Sequence, residues 1–108
     1  MPDPDHKIIE FPFRYAVVGF NFQRPQDGES FIDLTLRRGD EERRLRFFSP
    51  QRIELEEGFP ICSGLEIKDV SGNQLDGLNV RVDHFEASFG AMRFWAREVI
   101  DLDVQSAS

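Results

Sequence analysis

The sequence predicts an all-β fold, an antiparallel meander closing into a small sandwich or barrel with at most one short helix. Three observations carry this expectation. Apolar residues recur with period two, and no window of ten or more residues holds a helical stripe. Polar, glycine-containing turns divide the chain at short intervals, which suits antiparallel neighbours rather than crossover units. Phenylalanine is used 11 times in 108 residues, and bulky aromatics fit a pleated, half-buried surface.

The elements follow in order. Phe11, Phe13, Tyr15 and Val17 alternate on one face, and across Gly19 the apolar phase switches to Phe20 and Phe22. Such a switch marks a bulge or break whose backbone a β-carbon penalises. Arg24-Pro25-Gln26-Asp27-Gly28 reads as a turn. Ile32, Leu34 and Leu36 form the apolar row of the next strand, Leu45 and Phe47 that of its partner. A four-residue loop at Gly39-Asp40-Glu41-Glu42 sets Leu36 opposite Leu45 and Leu34 opposite Phe47, with every aliphatic residue on one face. That register also sets Arg37 against Arg44, a repulsive pair that Glu54 and Glu56 on the following strand are placed to neutralise. Ser49-Pro50 is a helix-start signal as well, so a short helix competes with a strand there.

Leu65 and Ile67 lead through a polar turn at Ser71 to Gly77 into a strand from Leu78 to Val82. The last hairpin turns at Ser88-Phe89-Gly90 and returns as Ala91 to Val104. Its three-residue loop sets Val82 opposite Ala96 and His84 opposite Phe94, on one side with Val80 and Met92. A single domain over residues 1–108 is expected, with residues 1–6 and 105–108 frayed and no internal repeat.

Composition bounds the function. A formal charge of −7 argues against a nucleic-acid partner, since phosphate recognition needs a basic footprint. Residues 1–54 hold 9 basic and 10 acidic side chains, residues 55–108 hold 4 and 10, so the second half is acidic. An acidic half can steer a basic partner, although acidity more often serves solubility. Cys62 is the one cysteine, which leaves no internal disulfide and points to a reducing compartment. The acidic, proline-rich start is unlike a signal peptide, and Ala16 to Phe20, the longest apolar stretch, is far too short to span a membrane. A cytoplasmic protein without membrane contact is expected.

No constellation of reactive residues names a reaction. Cys62, Asp83 and His84 have the types of a thiol site, but adjacent strand residues point to opposite faces, so Asp83 is badly placed to orient His84. Asp69-Val70-Ser71-Gly72-Asn73-Gln74 opens like a calcium loop, yet lacks glycine at the sixth place and glutamate at the twelfth, and a polar turn explains it better. Two histidines and one cysteine make a zinc site improbable. No metal, cofactor or enzymatic activity is expected. Six arginines between Arg37 and Arg52 are interleaved with Asp40, Glu41, Glu42 and Glu54, which predicts a solvated charge ladder rather than an RNA-binding patch.

The last hairpin carries the one candidate contact surface. Opposite the Val80–Val82 side lie Arg81, Asp83, Phe85, Arg93, Trp95 and Arg97. Tryptophan, phenylalanine and arginine together have the composition of interface hot spots. Either this face is exposed and binds, or it lies under the Phe11–Val17 strand or the Phe59-Pro60-Ile61 loop.

Leu45-Arg46-Phe47, Gly64-Leu65-Glu66-Ile67-Lys68-Asp69, Val82-Asp83-His84-Phe85-Glu86 and Phe94-Trp95-Ala96-Arg97-Glu98-Val99 resemble small bacterial β-rich families of unassigned function. Some of these look like immunity proteins of polymorphic toxin systems. The likeness covers about half the chain, rests on alternation and aromatics, and carries no functional residue with it. The expectation is therefore a non-enzymatic module that binds another protein, an immunity-type neutraliser of a basic partner being its sharper form. The alternatives are a self-associating homodimer that uses the same face or an unpaired strand edge, and a small-molecule-binding domain or enzyme with an aromatic-lined pocket.

Overall fold

The computed structural model describes Pro4 and residues 6–55, 64–73, 77–84 and 92–103. Alternation sorts these residues as predicted. Ile32, Leu34, Leu36, Leu45 and Phe47 are fully buried, and so, to within a per cent, are Val80, Val82, Met92, Phe94 and Ala96. Eight strands result: β1 (Ala16–Gln23), β2 (Phe31–Arg38), β3 (Glu41–Phe48), β4 (Gln51–Leu55), β5 (Leu65–Asp69), β6 (Val80–His84), β7 (Met92–Ala96) and β8 (Glu98–Asp101). Among the described residues, Pro12–Arg14 and Ser71–Asn73 form short 3-10 turns.

The strands make two antiparallel four-stranded sheets, ordered β1-β2-β3-β8 and β4-β7-β6-β5. This is an all-β sandwich. The rings of Phe47 from one sheet and Phe94 from the other meet edge to face, 5.1 Å between centroids, the geometry that aromatic quadrupoles favour. The order also contains a duplication that the sequence does not show. Strands β1 to β3 lie in one sheet and β5 to β7 in the other, while β4 pairs with β7 and β8 pairs with β3. Each half of the chain thus gives its last strand to the other half's sheet.

The exchange needs two bends, between β3 and β4 and between β7 and β8, and the bends touch. Phe48 pairs with Glu98 in one sheet and Gln51 with Trp95 in the other. Between them Ser49 takes a left-handed backbone, φ 51°, a conformation costly for a residue with a β-carbon. Strands that switch sheets commonly turn such corners by a local distortion. The Arg97 amide donates to the Phe48 carbonyl at 2.8 Å, and the Asn79 side-chain amide donates to the Arg97 carbonyl at 3.0 Å. Glu29, in the β1–β2 connection, joins both bends. Its carboxylate accepts Nε and Nη2 of Arg97 at 2.6 and 2.7 Å, and it also accepts the Ser49 hydroxyl. These bonds hold the Glu29 carboxyl down at about 2, below its ordinary 4.5, with the Arg97 hydrogen bonds the larger cause and Ser49 the next. The same pair raises the Arg97 guanidinium.

At the far end, the Arg43 guanidinium pairs with buried Asp101 and also donates to the Ile8 carbonyl at 3.3 Å. The chain before β1 closes that side. Asp69 donates its amide to the Pro4 carbonyl and His6 donates to the Ile67 carbonyl, both at 2.8 Å. Onward from there, Ile9, Pro12 and Tyr15 are buried.

Several expectations need correction. The β2–β3 hairpin turns on two residues, Gly39-Asp40, with Arg38 opposite Glu41. Gly39 has φ 60° and opens the loop, where a type II′ turn takes glycine. Leu34 consequently faces Leu45 instead of Phe47, and Arg37 faces Glu42 and pairs with it at 2.8 Å. The repulsion expected between Arg37 and Arg44 does not arise. Glu54 is not needed to relieve it, and β4 belongs to the other sheet. Residue 56, the second expected neutraliser, lies outside the described residues, as do the turn at 88–90 and the tail 105–108. Gln51–Leu55 is a strand, so the helix start at Ser49-Pro50 is not used. Phe11 and Phe13 do not extend β1: Pro12 sits inward on a 3-10 turn, leaving both rings 45% exposed. The return from Ala91 to Val104 is no single strand, because it bends at Arg97.

The phase switch at Gly19 is a bulge. The register slips between Val17, opposite Leu36, and Gly19, opposite Thr35. The reason for glycine differs from the one expected, since its φ lies outside the left-handed region. A β-carbon there would stand 3.0 Å from both Cβ and Oγ1 of Thr35. Gly19→Val is therefore expected to cost about 1–3 kcal/mol, the range for overpacking, and Thr35→Ala in the same chain should return part of it. Urea denaturation measures both, and a single variant as stable as the parent would refute the contact.

The Glu29 clamp predicts a pH dependence. Its folded pKa lies below the unfolded value, so its stabilisation is complete above about 4.5 and is lost as pH falls toward 2. Glu29→Gln should lower the melting temperature at pH 7 and flatten its decline over that acid range. Parallel pH profiles of variant and parent would remove Glu29 from this role.

Candidate functional site

The alternation that buries Val80, Val82, Met92, Phe94 and Ala96 turns Arg81, Asp83, Arg93 and Trp95 to the outer side of the second sheet. The hairpin register differs from the expected one by two residues: Val82 faces Phe94, and Arg81 faces Trp95. An even slip keeps every side chain on its predicted face and changes only its neighbours. The Arg93 Nε now donates to Asp83 at 2.8 Å, and Arg93 lies 4.0 Å from Glu54 on β4.

Trp95 is half-buried, which falls between the two cases the sequence left open. The Arg81 guanidinium carbon lies 5.8 Å from its ring centroid and that of Arg52 lies 6.0 Å away, both within cation–π range. Tyr15 and Val17 belong to the core cluster between the sheets and do not cover this face. The other proposed cover, residues 59–61, lies outside the described residues, as does the site residue Phe85.

Arg97 leaves the group. It sits at the bend after β7, held by Glu29 and by Glu98 at 2.9 Å, with its guanidinium 5.8 Å from the Phe48 ring centroid. Its place is taken by residues that sequence reasoning missed. Gln51 pairs with Trp95, and a bulge between Gln51 and Glu54, with φ 55° at Arg52, brings Arg52 to the indole. Glu54 stands opposite Arg93 on this face, whereas Leu55 stands opposite buried Met92 on the other side of the sheet and is 50% exposed. Alternation cannot find these neighbours, because β4 reaches β7 only by changing sheets.

The charge ladder is present as ion pairs. Arg38 pairs with Glu41 at 3.0 Å, Arg44 with Asp103 at 3.1 Å and Arg46 with Asp33 at 2.8 Å. With Arg43 on Asp101, arginines from the first half neutralise acids from the second. Pairs run the other way as well, Arg97 and Arg93 of the second half meeting Glu29 and Glu54 of the first.

The thiol reading gains no support. Cys62 lies outside the described residues, and Asp83 is engaged by Arg93. Asp69 accepts the Ser71 amide at 3.0 Å and its hydroxyl at 2.6 Å, which closes a local turn. Those two bonds are the leading causes that hold its carboxyl below the ordinary range. Among the described residues no three histidine, cysteine or acidic side chains gather as metal ligands, and no helix is long and apolar enough to cross a membrane. Phe47 and Phe94 fill the interior, whereas a surface hollow over Gly19 and Thr35 is lined mainly by Asn21, Asp33, Arg44 and Arg46. No protein-family model, no curated protein and no solved structure matches the chain.

Proposed function

We propose that this protein is a non-enzymatic module that binds another protein through the outer face of its second sheet, with Trp95 as the anchor. The observation that carries this reading is the half-buried indole on the solvent side, with Arg81 and Arg52 near its ring. A partner that covers it gains a large rigid area at little entropic cost and dehydrates two cation–π contacts, which strengthens them. Glu54, opposite Arg93 on β4, and the Arg93–Asp83 pair supply a polar border. The face carries both signs of charge, so shape and apolar contact, more than a basic surface, select the partner. An immunity-type role rests on the sequence resemblance alone, and the internal ion pairing of Asp101 and Asp103 weakens the case for electrostatic capture of a basic protein.

Trp95→Ala tests this. Half-burial predicts a stability cost of about 1 kcal/mol, an ordinary value for a partly exposed site. Affinity for the partner should fall by on the order of 2 kcal/mol, about thirtyfold. Circular dichroism melting and affinity capture, compared between parent and variant, read the two effects. Undiminished capture, or collapse of the melting transition, would overturn the proposal.

A further inference from the structure

Each sheet of a sandwich has two edges, and three of the four here carry a device against pairing with another chain. β5 is bonded on its outer side by Pro4 and His6. β4 is bulged and carries Arg52 and Glu54. β8 is only four residues long and bears Glu98 and Asp101. Short length, bulges, charge and a covering segment are the usual ways in which edges are blunted. β1 differs. It runs for eight residues, Ala-Val-Val-Gly-Phe-Asn-Phe-Gln, without a charge, in a chain that is 31% charged. Among the described residues, no backbone hydrogen bond from β1 is found on the side away from β2. Its bulge is confined to Val17–Gly19, and from Gly19 to Gln23 the pairing with β2 is regular.

We infer that β1 pairs with β1 of a second copy, antiparallel about a two-fold axis, joining two four-stranded sheets into one of eight strands. The absence of charge selects the occupant. A two-fold axis sets a strand against itself, so any charge near the axis meets its own like. β1 alone among the edges avoids this over its whole length, although the molecule as a whole carries −7. The side chains add apolar contact. Phe22 stands opposite Ile32, on the core side of the sheet, yet is 42% exposed. With the axis at Asn21, Phe22 of one copy lies opposite Phe20 of the other, an aromatic cross-strand pair that continues the apolar layer. Asn21 then faces Asn21. This interface is separate from the Trp95 face, so the two readings stand or fall independently.

Sedimentation velocity in reducing buffer, across a series reaching on the order of 100 µM because a small interface binds weakly, should show a species of twice the 12.5 kDa chain. Asn21→Lys puts two lysines face to face on an exposed position and should weaken the dimer at least about tenfold, with an unchanged melting curve at dilutions where the parent is monomeric. Phe22→Lys should do the same, whereas Ile53→Lys on the β4 edge and Trp95→Ala should leave the dimer intact. A monomer throughout the series would overturn the inference. So would a dimer indifferent to both β1 variants, or one abolished by Ile53→Lys or Trp95→Ala.

Discussion

The Glu29 carboxylate binds Arg97 at one bend and Ser49 at the other, and through these two bends the backbone of each half enters the other half's sheet. Without a partner for Ser49 in a left-handed conformation, the cost of turning β3 into β4 would fall on the strand pairing itself. Arg97 has a comparable number of duties. Its amide, carbonyl and guanidinium are all committed within one corner. The position of Trp95 follows, because the corner sets Gln51 beside it and brings Arg52 to its ring.

What the sequence made legible were the faces. Period-two alternation assigned Ile32, Leu34, Leu36, Leu45 and Phe47 to the apolar side of one hairpin and Val80, Val82 and Met92 to that of another, and the structure buries all of them. Register was less legible. In both hairpins the expected pairing was off by two residues, an error to which alternation is blind because it moves no side chain across the sheet. Charge would have resolved the first case, since only the two-residue turn places Arg37 opposite Glu42. The exchange of β4 and β8 was not legible at all. Nothing in Ser49-Pro50 or Arg97 distinguishes a corner between sheets from an ordinary turn, and the residue that settles it, Glu29, is 20 positions from Ser49 and 68 from Arg97.

The candidate face shows the same division. Alternation placed Arg81, Asp83, Arg93 and Trp95 together, and they are together. Alternation also placed Arg97 with them, because counting by twos assumes that the strand continues past Ala96, which it does not. Charge is the other quantity that folding changes. Read along the chain, the second half is acidic; read in space, Asp101 and Asp103 lie against Arg43 and Arg44. Composition gives the net charge reliably, but only the pairings tell how much of it a partner meets.

The exchange of last strands also fixes an order of events during synthesis. When β4 has emerged from a ribosome, its sheet does not yet exist, and the outer side of β3 waits for β8, the last of the described strands. At 5–20 residues per second the wait between residues 55 and 101 lasts on the order of seconds, while hairpins form in microseconds. The β1–β2–β3 meander is therefore complete long before either sheet can be. During that interval the stretch that β8 will pair, Leu45-Arg46-Phe47-Phe48, lies open, with the charged run Glu41-Glu42-Arg43-Arg44 directly before it on the same strand. Until Asp101 and Asp103 emerge, Arg43 and Arg44 are unneutralised charges beside an open strand edge, and charge there disfavours pairing with another chain.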